Sequence, residues 1–261
     1  MSLAKATSYV LYEKNLPYAF DGFKIAHISD LHSVPADGIY EIIKENAPNI
    51  IAVTGDLIHD NDKPYDKTVT LMKKLSSIAP IYAVTGNHDL WRVNHKQIIR
   101  EIEDTGVVFL RNEMAKCRID GEEIALFGMD DPFSKIPDII AKNVAKSFAQ
   151  LPEYEGFKIL LFHRANLFDL VKDSGFDLIL SGHMHGGQVR LPFVGGVCGP
   201  TSAILSKPGI LFPKYTAGIY NNKNTSMVVN RGVGNTLPIP RLGNPPDVGI
   251  ITLHRQNETA Y

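Results

Sequence analysis

Lys24-Ile25-Ala26-His27-Ile28-Ser29-Asp30-Leu31-His32-Ser33 is the stretch on which the fold turns. A strand-length apolar run ends at Asp30, and residues able to hold a metal follow at once. The same phrase recurs downstream. Ile50-Ile51-Ala52-Val53-Thr54 runs into Gly55-Asp56, and Ile81-Tyr82-Ala83-Val84-Thr85 runs into Gly86-Asn87-His88-Asp89. Ile124-Ala125-Leu126-Phe127 meets Gly128, and Lys158-Ile159-Leu160-Leu161-Phe162 meets His163. Asp177-Leu178-Ile179-Leu180-Ser181 meets Gly182-His183-Met184-His185-Gly186-Gly187. Helical periodicity fills the gaps. Ile39, Ile42 and Ile43 share a face over residues 37–46, before Pro48; Val69, Met72 and Leu75 share one over 66–75. A further helix is expected over 94–104. Apolar runs followed by helices predict parallel strands buried on both faces. Ligands of such sheets gather beyond the carboxyl ends of the strands, where each of these motifs falls.

After Gln188 the character changes, with frequent Pro, Gly, Asn and Thr. Leu211-Phe212, Tyr215–Tyr220, Ser226–Val229 and Val248–Leu253 read as antiparallel strands of a second sheet packed on the first. No domain boundary is expected at Gln188, so residues 1–261 read as a single domain.

The strand-end residues supply two Asp, one Asn and four His as potential ligands: Asp30, Asp56, Asn87, His32, His163, His183 and His185. Asp30 and His32, two apart on an extended strand end, point to the same side. Asp56 offers two oxygens and can bridge ions roughly 3.5–4 Å apart, a set that suits two-metal hydrolysis of phosphate esters. Mixed imidazole and carboxylate favours Mn²⁺, Fe or Zn²⁺ over Ca²⁺ or Mg²⁺. His88 is the spare histidine. Taken singly, each motif has an ordinary reading as a turn, a capped helix start, a buried histidine or a glycine-rich loop.

In this order the motifs resemble those of the calcineurin-like metallophosphoesterases: D-x-H, G-D, G-N-H-[DE], H and G-H-x-H. The bacterial branch with S-D-L-H-S and S-G-H-x-H-G-G-Q is most similar, matched here by Ser29–Ser33 and Ser181–Gln188. Gly128-Met129-Asp130-Asp131-Pro132 and Asn244-Pro245-Pro246 are also similar to it. The resemblance implies an α/β fold, a four-layer αββα sandwich of two mixed sheets. It implies two divalent metal ions, Mn²⁺ favoured: one on Asp30, His32, Asp56 and His185, the other on Asp56, Asn87, His163 and His183. It also implies attack on a phosphate ester, diester ahead of monoester, by a hydroxide held between the metals. His88 would assist the leaving oxygen, with Asp89 orienting it. The branch often has a proline two residues after the third-motif histidine. Here Arg164-Ala165-Asn166 follows His163, and Arg164 is expected either to bind phosphate or to form a surface ion pair.

With 261 residues, 44% hydrophobic and 21% charged, the chain can bury a sizeable core unaided. A net charge of -1 gives no overall field recommending nucleic acid as a partner. Cys117 and Cys198 read as unpaired buried thiols, leaning towards a reducing, cytoplasmic setting. No run reaches the ~18 apolar residues of a membrane span. Met1-Ser2-Leu3 is compatible with a cloning remnant. The branch often carries an N-terminal anchor or export signal, which leaves peripheral membrane association or export of a longer natural protein open. Two other functions compete. One is an envelope-associated lipid or cell-wall phosphate hydrolase, with Leu191–Val194 and Ile210–Pro213 as a lipid-facing rim or, preferred, edge strands and turns. The other is a non-enzymatic metal-binding scaffold, disfavoured because each ligand is present. His27 is expected in the core, His95 and His254 on the surface, and His59 in the pocket or a solvated loop. Asp130-Asp131 is expected in a structural turn.

Overall fold

The computed structural model describes residues 3–33, 37–60, 64–199, 211–235 and 240–256. Its strands begin with β1 (Lys5–Glu13), β2 (Phe23–Ile28), β3 (Ile50–Thr54), β4 (Ile81–Val84) and β5 (Val107–Phe109). Next come β6 (Glu113–Ile119), β7 (Glu122–Met129), β8 (Lys158–Arg164) and β9 (Leu178–Gly182). The last are β10 (Arg190–Leu191), β11 (Gly195–Gly196), β12 (Gly218–Asn222), β13 (Thr225–Val229) and β14 (Asp247–Arg255). The helices are α1 (Ile39–Asn46), α2 (Asp66–Leu75), α3 (Asn87–Trp91), α4 (His95–Glu103), α5 (Pro137–Phe148) and α6 (Phe168–Val171).

Two six-stranded sheets carry the fold, ordered β1-β14-β2-β3-β4-β5 and β12-β13-β9-β8-β7-β6. Alternation along each strand sorts its side chains between two faces. Ile51 and Val53 of β3 join Ile39, Ile43, Met72, Leu75, Ile98 and Ile102 beneath α1, α2 and α4. Their neighbours Ile50 and Ala52 face the other sheet, packing with Leu126, Ile159, Leu161 and Leu180. The far face of that sheet buries Phe127, Leu160, Phe162 and Ile179 against Val144 of α5 and Phe168 and Val171 of α6. Three apolar layers between four structural layers make the αββα sandwich. Each fully buried Ile, Leu or Phe is worth roughly 1.5–3 kcal/mol over exposure.

The late strands are divided between the sheets instead of forming a second one. β14 lies inside the first sheet, antiparallel to β2 and parallel to β1. β13 runs parallel to β9 in the second. Five successive buried residues open β14, Asp247 to Ile251, as expected of an interior strand. Tyr215–Ala217 precede β12 and form no strand. Leu191–Val194 lies in the small hairpin β10–β11, and Leu211 makes only a bridge to Cys198. Met1, Ser2 and Ile210 lie outside the described residues. Cys117 and Cys198 are unpaired and half-buried. Among the described residues no helix is long and apolar enough to cross a membrane.

Candidate metal centre

The carboxyl ends of β2, β3 and β4 in one sheet meet those of β8 and β9 in the other. The loops are sewn together by backbone bonds: Asp30 N–H to Gly55 O at 3.0 Å and His32 N–H to Asp56 O at 2.9 Å. Asp30, His32, Asp56, His183 and His185 all hold left-handed backbone, with φ between 47° and 72°. Such strain in non-glycine residues gathers at functional sites. His163 lies within β8, where the register against β9 shifts between Leu161 and Arg164. A bulge of this kind re-aims a side chain. At Gly86 a Cβ would stand 2.5 Å from the backbone nitrogen of Asp56, so only glycine fits the approach of these two turns.

Two buried groups result, each able to hold an ion: Asp30 with His32 and His185, and Asp56 with His163 and His183. Asp56 joins them. Its Oδ2 lies 3.6 Å from His32 Nε2 and 3.3 Å from His163 Nε2. Asn87 Oδ1 lies 3.2 Å from His163 Nε2. The ring nitrogens of His32 and His185 face each other at 3.2 Å, as do those of His163 and His183. Asp30 Oδ1 is buried with no hydrogen-bond partner. Converging lone pairs and an orphaned buried oxygen fit a cation on each side of Asp56.

The surroundings prepare these donors. His163 Nδ1–H donates to Thr54 O at 2.7 Å, which leaves Nε2 as the ligating nitrogen. Ser29 Oγ and His183 N–H donate to Asp30 Oδ2 at 2.6 and 3.0 Å. Burial pushes His185 down to about 3, and burial, His163 and Arg164 hold His183 well below the imidazole range. Both rings are therefore neutral, the ligating form. Burial disfavours charge on Asp56 and His163, yet their attraction wins: Asp56 sits well below the carboxylate range, and His163 is raised to about 10. Burial also raises Asp30, but His185, His32 and His163 outweigh it and hold the group low.

All seven expected ligands are thus brought together, and His88 borders them, its ring centroid 4.8 Å from that of His32. The expected partner of His88 is corrected. Asp89 Oδ2 accepts from Gly86 N–H and Asp56 N–H, both at 2.8 Å, and Oδ1 accepts from Ile58 N–H at 2.9 Å. It clamps the loops. As N3 of the short helix α3, its side chain reaches back to the helix start, a matter of local geometry. Asp60 takes the expected place, with Oδ1 3.2 Å from His88 Nδ1, a charge contact without hydrogen-bond geometry. The same oxygen lies 2.7 Å from His59 Nδ1, and the His59 ring lies 5.7 Å from that of His32. His59 therefore lines the site. Burial lowers His88, against the pull of Asp56 and Asp60.

Arg164 meets neither expectation. Its guanidinium pairs with the buried Asp131 carboxylate at 2.5 and 2.7 Å, and the pair lies inside the protein. Asp130 accepts from Thr85 Oγ1 at 2.8 Å. His27 is core as expected, its Nε2 2.8 Å from Thr54 Oγ1, and burial pushes it down to about 4. His254 is half-buried and pairs with Asp21 at 2.9 Å, and His95 is half-buried on α4.

Three residues near the site carry roles that the sequence reading did not assign, although Asn244 lies in the Asn244-Pro245-Pro246 stretch matched to the family branch. Asp60 stands four residues after Asp56 in the same loop, a signal that could have been read. Arg241 Nη2 lies 3.0 Å from His185 Nδ1 and donates to Gly234 O at 2.5 Å. Asn244 Nδ2 donates to His185 O at 2.7 Å and Gln188 O at 3.1 Å, fixing the last motif. No short-range pattern joins either residue to His185.

Sandwich and centre together define a metallophosphoesterase. The model of the family described as calcineurin-like phosphoesterase matches residues 23–187, and the chain belongs to that family. It is a phosphoric ester hydrolase. Bacillus subtilis YkuE, described as an uncharacterized metallophosphoesterase, is 28% identical over 98% of this chain and 87% of its own length. The Escherichia coli phosphodiesterase YaeI is 28% identical over 88% and 82%. Among solved structures, the phosphopantetheinyl hydrolase PptH of Mycobacterium tuberculosis aligns with a TM-score of 0.49 at 12% identity, covering 80% of this chain and 89% of that one.

Proposed function

We propose that this chain, acting as one domain, is a binuclear metallophosphoesterase that prefers phosphodiesters to monoesters. The observation that carries the reading is the sharing of Asp56 between two buried ligand groups. One ion would be held by Asp30, His32, Asp56 and His185, the other by Asp56, Asn87, His163 and His183. Imidazole-rich shells favour Mn²⁺, Fe or Zn²⁺, with Mn²⁺ first. When bound, such a pair supplies the positive charge that draws in phosphoryl oxygens and acidifies an attacking water.

The protein's own groups do the rest. His163 keeps its proton on Nδ1 against Thr54 O, so Nε2 stays turned inward. Asp89 fixes the turns that carry Asp56 and Asn87. His88, when protonated, donates from Nε2 to the leaving oxygen while Nδ1 faces Asp60. The Asp60 carboxylate favours the protonated ring that this donation needs. The diester preference is supported by the relationship to YaeI, a named phosphodiesterase. The test compares bis(p-nitrophenyl) phosphate with p-nitrophenyl phosphate at saturating Mn²⁺. A higher kcat/KM for the diester is expected; the reverse order overturns the preference.

A further inference from the structure

Beside the two groups joined by Asp56 stands a further cluster of ligand-type side chains. His59, Asp60 and His88 each offer one ligand atom, and these atoms lie within 4.8 Å of one another. Asp60 Oδ1 is their hinge, 2.7 Å from His59 Nδ1 and 3.2 Å from His88 Nδ1. The backbone holds both sides of the cluster in place. Ile58 N–H and His59 N–H donate to Asp89 Oδ1 at 2.9 Å and to Ser33 Oγ at 3.2 Å. Arg92 Nη1 donates to His59 O at 3.3 Å. Across the gap, His88 N–H donates to Asp56 Oδ1 at 2.8 Å, and the Trp91 ring stands edge-on to the imidazole, 5.0 Å away between centroids. The loop after β3 and the start of α3 therefore present the three groups to one another.

Hydrogen bonding alone leaves this cluster unfinished. His88 Nδ1 is buried and has no hydrogen-bond partner, although a carboxylate oxygen stands 3.2 Å away. A buried polar atom left so costs about 1–3 kcal/mol and calls for an explanation. A cation among the three groups would take lone pairs from both imidazoles and the carboxylate at once. Two imidazoles and one carboxylate, with a further position open to water, form a set that zinc takes. Such an ion would be held less tightly than the paired ones. The Asp60 side chain is 34% exposed, and cations in the neighbouring groups would repel a third.

We propose that His59, Asp60 and His88 form a third cation site, suited to Zn²⁺, whose filling disarms the leaving-group acid. Zn²⁺ takes the Nδ1 lone pair of His88, and the Nδ1 proton passes to water. Nε2–H stays, but on a neutral ligated ring that gives up its proton far less readily than an imidazolium. The site itself goes beyond the two-ion reading; only its effect on turnover rests on that reading.

The test dialyses the whole chain against rising Zn²⁺, with ions counted by elemental analysis and affinities taken by calorimetry. Hydrolysis of diphenyl phosphate and of bis(p-nitrophenyl) phosphate is followed over the same range. The wild type should take up two ions tightly and a third more weakly. As the third binds, diphenyl phosphate turnover should fall by more than about tenfold, and p-nitrophenyl ester turnover little, because p-nitrophenolate leaves unaided. His59→Gln and Asp60→Asn should each keep the two tight ions. Each should weaken the third by more than about 100-fold, beyond what loss of an outer hydrogen bond costs a metal site. Absence of a third ion in excess Zn²⁺ overturns the proposal. So does a third ion held as tightly by either variant, which places it elsewhere on the surface. A third ion that both variants lose, but that slows the two esters equally, keeps the site and overturns its action on His88. A single ion that both variants lose supports the site and sinks the paired-ion reading instead.

Discussion

Replacing Asp89 by asparagine separates a loop clamp from a catalytic partner. The carboxylate accepts three backbone N–H bonds at 2.8–2.9 Å and is almost fully buried. Burial and the nearby Asp56 raise it to about 7, against the N–H donors of Gly86 and Ile58 that favour its anion. An asparagine in its best orientation keeps one oxygen for Gly86 and Asp56 and turns an NH₂ towards the N–H of Ile58. One charge-assisted bond is lost and one buried donor is left unpaired, overlapping costs of about 2–4 kcal/mol in total. Thermal unfolding should fall by roughly 5–15 °C for a chain of this size. Affinity for Mn²⁺ should weaken by about 10–100-fold, because the turn that aims Asp56 loosens. At saturating Mn²⁺, however, kcat should return to near the wild-type value, since His88 is held elsewhere. Calorimetry, Mn²⁺ titration and turnover on one preparation decide the matter. Unchanged melting and metal affinity with a large fall in kcat would refute the clamp and restore Asp89 as the partner of His88.

Asp60→Asn should show the opposite pattern: normal metal content, with kcat lost about 10²-fold or more for phenyl or alkyl leaving groups and little for p-nitrophenyl. Equal loss across leaving groups would contradict its placement beside His88. Gly86→Ala should abolish stable metal loading, because the new Cβ meets the Asp56 nitrogen at 2.5 Å; elemental analysis of the purified variant checks it. Arg164→Met should cost about 3–5 kcal/mol in urea unfolding, by leaving Asp131 buried and uncompensated. The diester-to-monoester ratio should not change, as the guanidinium is taken up by that pair. For His163 the sign runs one way: without metal its pKa is raised to about 10, so a metal must displace its proton. Metal affinity should therefore rise by about tenfold per pH unit through neutrality, with close to one proton released from this ring, read by calorimetry in buffers of different ionisation enthalpy.

The legible part of this protein is what short-range pattern encodes. Each expected parallel strand, from Lys24-Ile25-Ala26 to Leu178-Ile179-Leu180, forms, because strands buried on both faces must be apolar throughout. Strand ends then fixed where Asp30, Asp56, Asn87, His163 and His183 would converge. Pairing partners were not legible. Val248–Leu253 reads alike in the middle of the first sheet or in a separate one, since strand pattern reports burial and not neighbours. β1, an edge strand that is mostly solvent-facing, gave too weak an alternation to be read. The orienting of His88 by Asp89, which the resemblance implies, does not form. One turn of α3 instead sends its carboxylate back to the Gly86 and Asp56 amides. Arg241 and Asn244 reach His185 through tertiary packing alone.

Metal content of the purified chain, measured by elemental analysis beside Mn²⁺-dependent hydrolysis of bis(p-nitrophenyl) phosphate, tests the central claim most directly. The shared Asp56 predicts about two ions per chain and cleavage that chelation abolishes and Mn²⁺ restores. A chain that takes up no metal, with no cleavage on adding Mn²⁺, would contradict it.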